Sequence, residues 1–84
     1  MELRFKGGNE YIRLVINRKK KEAMIQSRTT QYTLTPIKWK MLFDKGKEKA
    51  QERMTDGLKD EEFKTILMIS MAQQGYSLVE DGSR

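Results

Sequence analysis

The sequence of 84 residues predicts an α+β fold, in which an antiparallel sheet of three to four strands is followed by two helices and a short C-terminal strand. Three observations predict this class. Residues 1–34 alternate between apolar and polar side chains, residues 35–74 repeat apolar side chains at helical spacing, and a short apolar segment follows Gly75. No linker long enough to separate two folding units interrupts the chain, so we expect one domain over residues 1–84.

The first two strands follow from an alternation with a period of two, which is typical of a strand with one buried and one solvated face. A glycine-containing segment, Gly7-Gly8-Asn9, separates the two strands and favours a tight turn. The residues predicted to face the core are Leu3, Phe5, Ile12, Leu14 and Ile16. The side chains between them are predicted to lie on the opposite face of the sheet.

A basic turn, Arg18-Lys19-Lys20-Lys21, leads into the third strand. The run has no apolar member and its charges repel one another, so a solvated hairpin tip is one interpretation. A contact with phosphate groups and a localisation signal are the alternatives. Residues 22–28 form the third predicted strand, and residues 1–34 together are predicted to form a basic antiparallel sheet.

The first helix is predicted over residues 35–55. Thr35 is a good N-cap, because its hydroxyl can accept from the unpaired amides of the first turn, and Pro36 suits the first helical position. The predicted inner stripe is Trp39, Leu42, Phe43, Gly46, Ala50 and Met54. Ile37 and Met41 lie on nearly the opposite side of this helix, where they are either isolated exposed residues or a contact with another helix or a second copy of the chain.

The second helix, residues 60–74, opens with the acidic run Asp60-Glu61-Glu62, which the positive end of a helix dipole favours. Its apolar side chains run almost all the way round, which predicts burial on two sides. The helix lies either between the sheet and the first helix or at an interface between chains, with Met68 as a contact. Gly75 permits a left-handed cap, and residues 76–80 form the short last strand.

The composition excludes several kinds of chemistry. The chain has no cysteine and no histidine, which leaves no disulfide, no zinc site and no histidine acid or base. No spacing pairs carboxylates, lysines or tyrosines for catalysis, so we expect no enzyme and no metal or cofactor. The sequence shows neither a signal-peptide pattern nor an apolar run of ~20 residues, and we expect a cytoplasmic protein that does not contact the membrane.

Positive charge is concentrated in the first half of the chain. Residues 1–40 contain ten basic and three acidic residues, whereas the remainder contains seven basic and nine acidic residues. Surface solubility is one explanation, and a polyanionic or acidic partner for the first half is the other.

One face of the predicted sheet carries cations around a tyrosine. A helix covers only one face, so the opposite face should stay open and present Arg4, Lys6, Tyr11 and Arg13, joined by Gln26 and Arg28. Cations that follow phosphates and an aromatic ring that stacks on unpaired bases are what a single-stranded nucleic acid needs. The alternative is that Tyr11 is an ordinary half-buried strand residue.

Two segments resemble the positive cofactor four family of transcriptional coactivators, and are similar in outline to the Whirly and Pur-alpha-like folds. They are the run from Tyr32 to Leu42, which resembles that family's strand-to-helix junction, and Phe5-Lys6-Gly7-Gly8, which resembles its first-strand exit. The resemblance covers about residues 2–50. The second helix and the last strand have no counterpart in that compact core.

The resemblance implies a curved antiparallel sheet backed by a helix, dimerisation through that helix, and single-stranded DNA held on the sheet. It implies backbone contacts for Arg4, Lys6, Arg13, Lys20, Lys21 and Arg28, and stacking for Tyr11. It also implies that Ile37 and Met41 form a dimer contact.

Two functions therefore compete. We expect a homodimer that binds single-stranded DNA or RNA without strong sequence preference, in transcription or replication. The alternative is a small regulator or inhibitor of the phage or mobile-element type, which binds a protein partner through the apolar residues 66–72; six methionines favour such adaptable contacts. Salt separates the two, because only phosphate binding weakens steeply with ionic strength.

Overall fold

The structure is a computed structural model that describes residues 1–28 and 33–81. In chain order its elements are β1 (Glu2–Gly7), β2 (Glu10–Asn17), β3 (Glu22–Gln26), β4 (Thr35–Ile37), a 3₁₀ turn (Trp39–Leu42), α1 (Glu48–Thr55), α2 (Asp60–Gln73) and β5 (Ser77–Asp81). The strands form one antiparallel sheet in the order β4-β3-β2-β1-β5, which confirms the α+β class. The third strand ends two residues earlier than predicted, and residues 29–32, assigned to the basic sheet from the sequence, lie outside the described residues.

Alternation along β1 and β2 determines which face of the sheet becomes the core. Leu3 and Phe5 are fully buried, and Ile12, Leu14 and Ile16 are at most 7% exposed. Each such side chain contributes about 1.5–3 kcal/mol when it is removed from water. The predicted core face of the first two strands is confirmed.

The tight turn between β1 and β2 fixes how the two strands align. Gly8 has a φ of +60°, a left-handed conformation that glycine adopts without strain. The turn makes Gly7 pair with Glu10, and further along the same ladder Arg4 pairs with Arg13. Because side chains alternate across a sheet, this register places the two arginines side by side on the outer face.

The helical layer closes the inner face of the sheet with aromatic and aliphatic side chains. Its buried members include Leu42, Phe43, Phe63 and Leu67. The Trp39 ring stacks on Phe63 with the centroids 6.0 Å apart and meets Phe43 edge-on at 6.1 Å. Aromatic pairs with this geometry contribute about 0.5–1.5 kcal/mol to stability beyond the effect of their burial. Trp39 therefore stabilises the packing of the 3₁₀ turn against α2.

Arg18, the first residue of the basic turn, ties the β2–β3 hairpin to the helices. Its guanidinium carbon lies 4.6 Å from the centroid of the Phe63 ring. The same group donates to the Asp60 carboxylate at 2.8 Å and to the main-chain carbonyl of Thr55 at 3.1 Å. A planar cation can stack and donate at once, so this arginine acts within the fold.

The predicted start of the first helix at Thr35 is wrong. Thr35–Ile37 form β4, an edge strand paired with β3, so Thr35 is not an N-cap. Pro36 lacks an amide hydrogen, and an edge strand tolerates this loss because one of its sides has no partner strand. After the 3₁₀ turn, α-helix begins only at Glu48.

The later part of the predicted inner stripe is also wrong. Ala50 and Met54 lie on α1 and are exposed, Met54 by 58%. Gly46, with a φ of +86°, separates the 3₁₀ turn from α1, so residues on its two sides no longer share one helix axis. The side chain of Gln51 holds α1 in place instead, because its amide accepts from the Asp44 main chain and donates to the Asp44 carboxylate.

Helix α2 begins where predicted and is covered on one side only. Phe63 and Leu67 face the core, whereas Met68 and Ile69 are 40% and 56% exposed. The alternative that places this helix between the sheet and the first helix is therefore wrong. In residues 1–28 and 33–81, no helix is long and apolar enough to cross a membrane.

The end of α2 directs the chain into β5 at the free edge of β1. Gly75 has a φ of +90°, and its amide donates to the carbonyl of Ala72 while the amide of Tyr76 donates to that of Met71. This pair of hydrogen bonds is a Schellman motif, and it confirms the predicted left-handed cap.

The ring of Tyr76 occupies the space that a side chain at Gly7 would need. A Cβ added to Gly7 would lie 2.6 Å from Cδ1 of Tyr76. The Tyr76 hydroxyl donates to the Glu10 carboxylate at 3.1 Å. Burial and this carboxylate raise the pKa of Tyr76, which keeps the hydroxyl protonated as a donor.

Candidate nucleic-acid interface

The outer face of the sheet brings together side chains from three neighbouring strands. Arg4 pairs with Arg13 and Lys6 pairs with Tyr11 across β1 and β2, and Gln26 of β3 pairs with Arg13. Directly opposed residues have Cβ atoms about 4.5–5.5 Å apart. The helical layer packs on the other face, so none of the described helices covers these side chains.

A groove of about 590 Å³ crosses these strands near the β1–β2 turn. Its polar and aromatic lining is Arg4, Asn9, Tyr11, Arg13, Gln26, Ser27 and Arg28. Guanidinium groups present planar donors that match phosphate oxygens, and the two amide side chains can both donate to and accept from a base. The groove thus combines positive charge with groups able to contact bases.

Tyr11 is the aromatic residue that lines this groove in the part of the chain that the structure describes, and it is 60% exposed. The Lys6 ammonium lies 5.5 Å from the centroid of its ring. An exposed ring leaves apolar area in water, and a stacked base would cover that area. Stacking of this kind contributes about 1–3 kcal/mol per base.

Arg13 already has an acidic partner on the same face. Its Nε donates to the Glu2 carboxylate, and the two side chains are 37% and 24% exposed. A phosphate that binds Arg13 must therefore compete with Glu2, whose charge also lowers the positive potential of the groove.

Among the strand residues that the structure describes, the outer face has one half that carries cations and one half that does not. Arg4, Lys6 and Arg13 lie towards the β1–β2 turn. Beyond them the register aligns Val15, Met24 and Pro36 across β2, β3 and β4. A polyanion would therefore be held at the half that contains the groove.

The structure does not bring Lys20 and Lys21 into this groove. Both lie in the hairpin beyond the far end of β2, whose last residue, Asn17, is about 13 Å along the strand from Arg13. Lys21 donates to the Glu52 carboxylate on α1 at 2.9 Å. That hydrogen bond and the charges of Glu52 and Asp56 raise the pKa of Lys21. Lys20 is exposed, and its amide donates to the Asn17 side chain.

The three predicted dimer or partner contacts occupy different environments. Ile37 is half-buried and packs against the core of its own chain. Met41 is 61% exposed at the 3₁₀ turn, and Met68 is 40% exposed on α2. Only the two methionines are therefore available to a second molecule.

Three residues that belong to the groove or its charge balance were missed in the sequence, namely Glu2, Asn9 and Ser27. A signal for Glu2 existed: a two-residue turn after Gly7 sets the register, and this register places Glu2 diagonally from Arg13. Asn9 follows from the same turn, because it lies two residues before Tyr11 at the end of the hairpin. The alternation alone places Glu2 on the outer face, but only the register brings it close to Arg13.

The groove is equipped to bind by charge, hydrogen bonding and stacking. Within the described parts of the chain, no group of three acidic side chains could hold a metal ion. Comparison with protein-family models, with curated proteins and with solved structures finds no match for the chain. The resemblance to the positive cofactor four family therefore stays a prediction.

Proposed function

We propose that this protein binds single-stranded nucleic acid, with little dependence on sequence, at the cationic half of the outer sheet face. One observation carries the proposal: Arg4, Tyr11, Arg13 and Arg28 line a single open groove. The guanidinium groups contact successive phosphates, and Tyr11 stacks on a base between them. The asparagine and glutamine at the groove add hydrogen bonds that any base can accept or donate.

A single strand suits this groove better than a duplex. The faces of bases in a duplex are stacked on one another and out of reach of Tyr11, which leaves only phosphate contacts. A single strand offers both its phosphates and its unstacked bases. Transcription and replication both expose such strands, and we propose a role in one of them.

The first test is fluorescence anisotropy of a labelled poly-dT strand of about 20 nucleotides, titrated at about 50 and 200 mM salt. With three to four phosphates contacted, the association constant should fall about 20- to 50-fold between these salts, since log K changes by about −0.7 per phosphate and decade. A duplex of equal length should bind less tightly. No binding at the lower salt would contradict the proposal.

Substitutions in the groove separate its two contributions. Arg13→Ala should weaken binding and reduce the salt slope by about 0.7, whereas Tyr11→Ala should weaken binding about 5- to 150-fold and leave the slope unchanged. Lys49→Ala is the matched control, because Lys49 is an exposed cation on α1, outside the groove. Equal losses for Arg13→Ala and Lys49→Ala would mean that binding follows overall charge and not this groove.

A second candidate function is binding to another protein through the outer side of α2. The observation that favours it is the exposure of Met68 and Ile69 on this helix. Binding of that kind buries apolar area and should change little between the two salt concentrations, and Tyr11→Ala should leave it intact.

A further inference from the structure

The outer side of α2 carries an uncharged stripe at the spacing that packs one helix against another. Thr65, Met68, Ile69 and Ala72 are spaced by three, one and three residues, and all four are exposed. Side chains at i, i+3, i+4 and i+7 lie along one face of a helix. A strip of this width on a helix that already buries its opposite side is suited to a second helix.

The N-terminal end of this stripe is acidic. Glu61 and Glu62 are both exposed, and the Glu61 side chain is 86% exposed. Glu61 forms an ion pair with Lys64 at 3.4 Å, and Glu62 accepts from the main-chain amide of Lys59 as part of the helix cap. Glu62 therefore contributes negative charge to the surface, because its partner in the cap is uncharged.

The C-terminal end of α2 borders a groove of about 560 Å³ that is rich in lysine. Lys40, Lys45 and Lys47 line it, and so do the exposed Met41 and, from α2, Gln73. The two ends of the helix thus border surfaces of opposite charge.

The two acidic residues in the lysine groove are already satisfied within the chain. The Asp44 carboxylate accepts from the Ser70 hydroxyl at 3.3 Å and from the Gln51 amide at 2.9 Å. Main-chain amides of Glu48 and Gly46, and then the charges of Lys40 and Lys45, lower the pKa of Glu48. These donors are mostly uncharged, so both carboxylates keep their charge, and three lysines against two carboxylates leave the groove with a small excess of positive charge.

The acidic end and the lysine groove lie along the same edge of α2. Glu62, Ile69 and Gln73 are spaced by seven and four residues, so they form one line along the helix, and Gln73 lines the groove. Glu62 and Gln73 are eleven residues apart, or about 16 Å along the axis. Consider a second α2 helix that runs antiparallel to the first and has the same edge on the same side. Its lysine groove would lie beside Glu62 of the first helix, so that opposite charges meet.

We infer that a second copy of this chain covers the outer side of α2, with the two α2 helices antiparallel about a twofold axis between Met68 and Ile69. A twofold axis across two antiparallel helices reverses their ends and keeps like edges together. Glu62 of each copy then lies against the lysine groove of the other copy, so the dimer contains two equivalent contacts of this kind. Met41 and Met68 are covered as well, which agrees with their exposure in the single chain.

The self-complementary pattern favours a second copy over an unrelated protein. A parallel arrangement would set acidic end against acidic end, whereas the antiparallel one pairs each acidic end with a basic groove and aligns the uncharged centres. The helix dipoles are antiparallel too. The interface leaves the outer face of both sheets exposed, because α2 packs on the inner face of its own sheet.

Sedimentation velocity over about 5–200 μM protein tests the inference without any nucleic acid. The wild-type chain should sediment as a dimer at the upper concentrations, and Ile69→Glu should be monomeric with an unchanged circular dichroism spectrum. Tyr11→Glu adds the same acid at an exposed apolar position on the opposite side of the molecule and should stay dimeric.

A charge exchange tests the antiparallel pairing. Glu62→Lys and Lys45→Glu should each raise the dimer dissociation constant at least threefold, and the double variant should recover most of the loss. A monomeric wild-type chain at 200 μM would overturn the inference, as would a dimer that Ile69→Glu does not weaken. Additive losses in the double variant would overturn the antiparallel arrangement. Nucleic-acid binding by a monomer would leave the proposed function intact, and a dimer without nucleic-acid binding would leave this inference intact.

Discussion

The two faces of strands β1 and β2 are built from alternate residues of the same stretch of sequence, yet towards the β1–β2 turn one face is apolar and the other is cationic. On the inner face Leu3 and Phe5 are fully buried, whereas on the outer face their neighbours Arg4 and Lys6 are exposed. Stability and the proposed binding therefore depend on alternate residues of one strand, whose side chains point to opposite faces of the sheet. This separation predicts that substitutions one residue apart will have effects on different measurements.

The largest expected effect follows from a cavity on the inner face. Phe5→Ala should lower the free energy of unfolding by about 3–5 kcal/mol, because it removes a fully buried ring and leaves a hole between the sheet and the helical layer. Urea denaturation followed by the fluorescence of Trp39, the single tryptophan, measures this loss. The fraction that stays folded should bind poly-dT like the wild-type chain.

The neighbouring outer-face substitution is the control for Phe5→Ala. Arg4→Ala should change the free energy of unfolding by less than about 1 kcal/mol and weaken nucleic-acid binding, with a smaller salt slope. If Arg4→Ala destabilised the fold as much as Phe5→Ala, the two faces would not be independent.

A smaller effect is expected where the inner face ends at Gly7. Gly7→Ala should cost about 1–3 kcal/mol of stability, because the new methyl group would lie 2.6 Å from a carbon of the Tyr76 ring and 3.0 Å from the Gly75 carbonyl oxygen. Thermal and urea denaturation measure this loss. Gly7 has an ordinary negative φ, so the loss arises from crowding and not from backbone strain.

A double-mutant cycle identifies the ring as the cause. In a Tyr76→Ala background the ring is gone, and Gly7→Ala should cost less than in the wild-type chain by about 1 kcal/mol or more. An equal cost in both backgrounds would show that the Tyr76 ring does not limit this position.

Strands β1 and β2 were predictable from the sequence because their signals are local. The alternation along β1 and β2 gives the two faces, and the short turn at Gly8 gives the register that brings Arg4, Tyr11 and Arg13 together. The alternation and the turn together are enough to predict which residues form most of the groove. The two antiparallel strands are separated by only a short turn in the sequence, so their pairing can be predicted without information from distant parts of the chain.

The segment from Thr35 to Gly46 was not predictable in the same way. Pro36 fits the first turn of a helix and an edge strand equally well, and the choice depends on the unpaired edge of β3, which lies earlier in the chain. The position of Lys21 is a second example, since its partner Glu52 is 31 residues away. Contacts at this separation have no signature in a local pattern.

The smallest expected effect concerns the ion pair between Arg13 and Glu2 on the outer face, which should affect binding more than stability. Glu2→Gln should tighten binding to poly-dT about two- to fivefold at about 50 mM salt, because Arg13 no longer shares its guanidinium with a carboxylate. Fluorescence anisotropy measures the change, and the free energy of unfolding should shift by no more than about 1 kcal/mol, since the pair is partly exposed.

Glu22→Gln is the matched control for the ion pair. Glu22 is an exposed acid on β3, opposite Asn17 at the far end of the sheet, and its substitution makes the same change in net charge without releasing Arg13. A smaller gain for Glu22→Gln would show that the ion pair itself restrains binding. Equal gains would mean that only the total charge of the face matters. The tighter binding of both variants should then disappear at 200 mM salt, because the interaction between a distant carboxylate and a phosphate is screened over about 8 Å near physiological ionic strength.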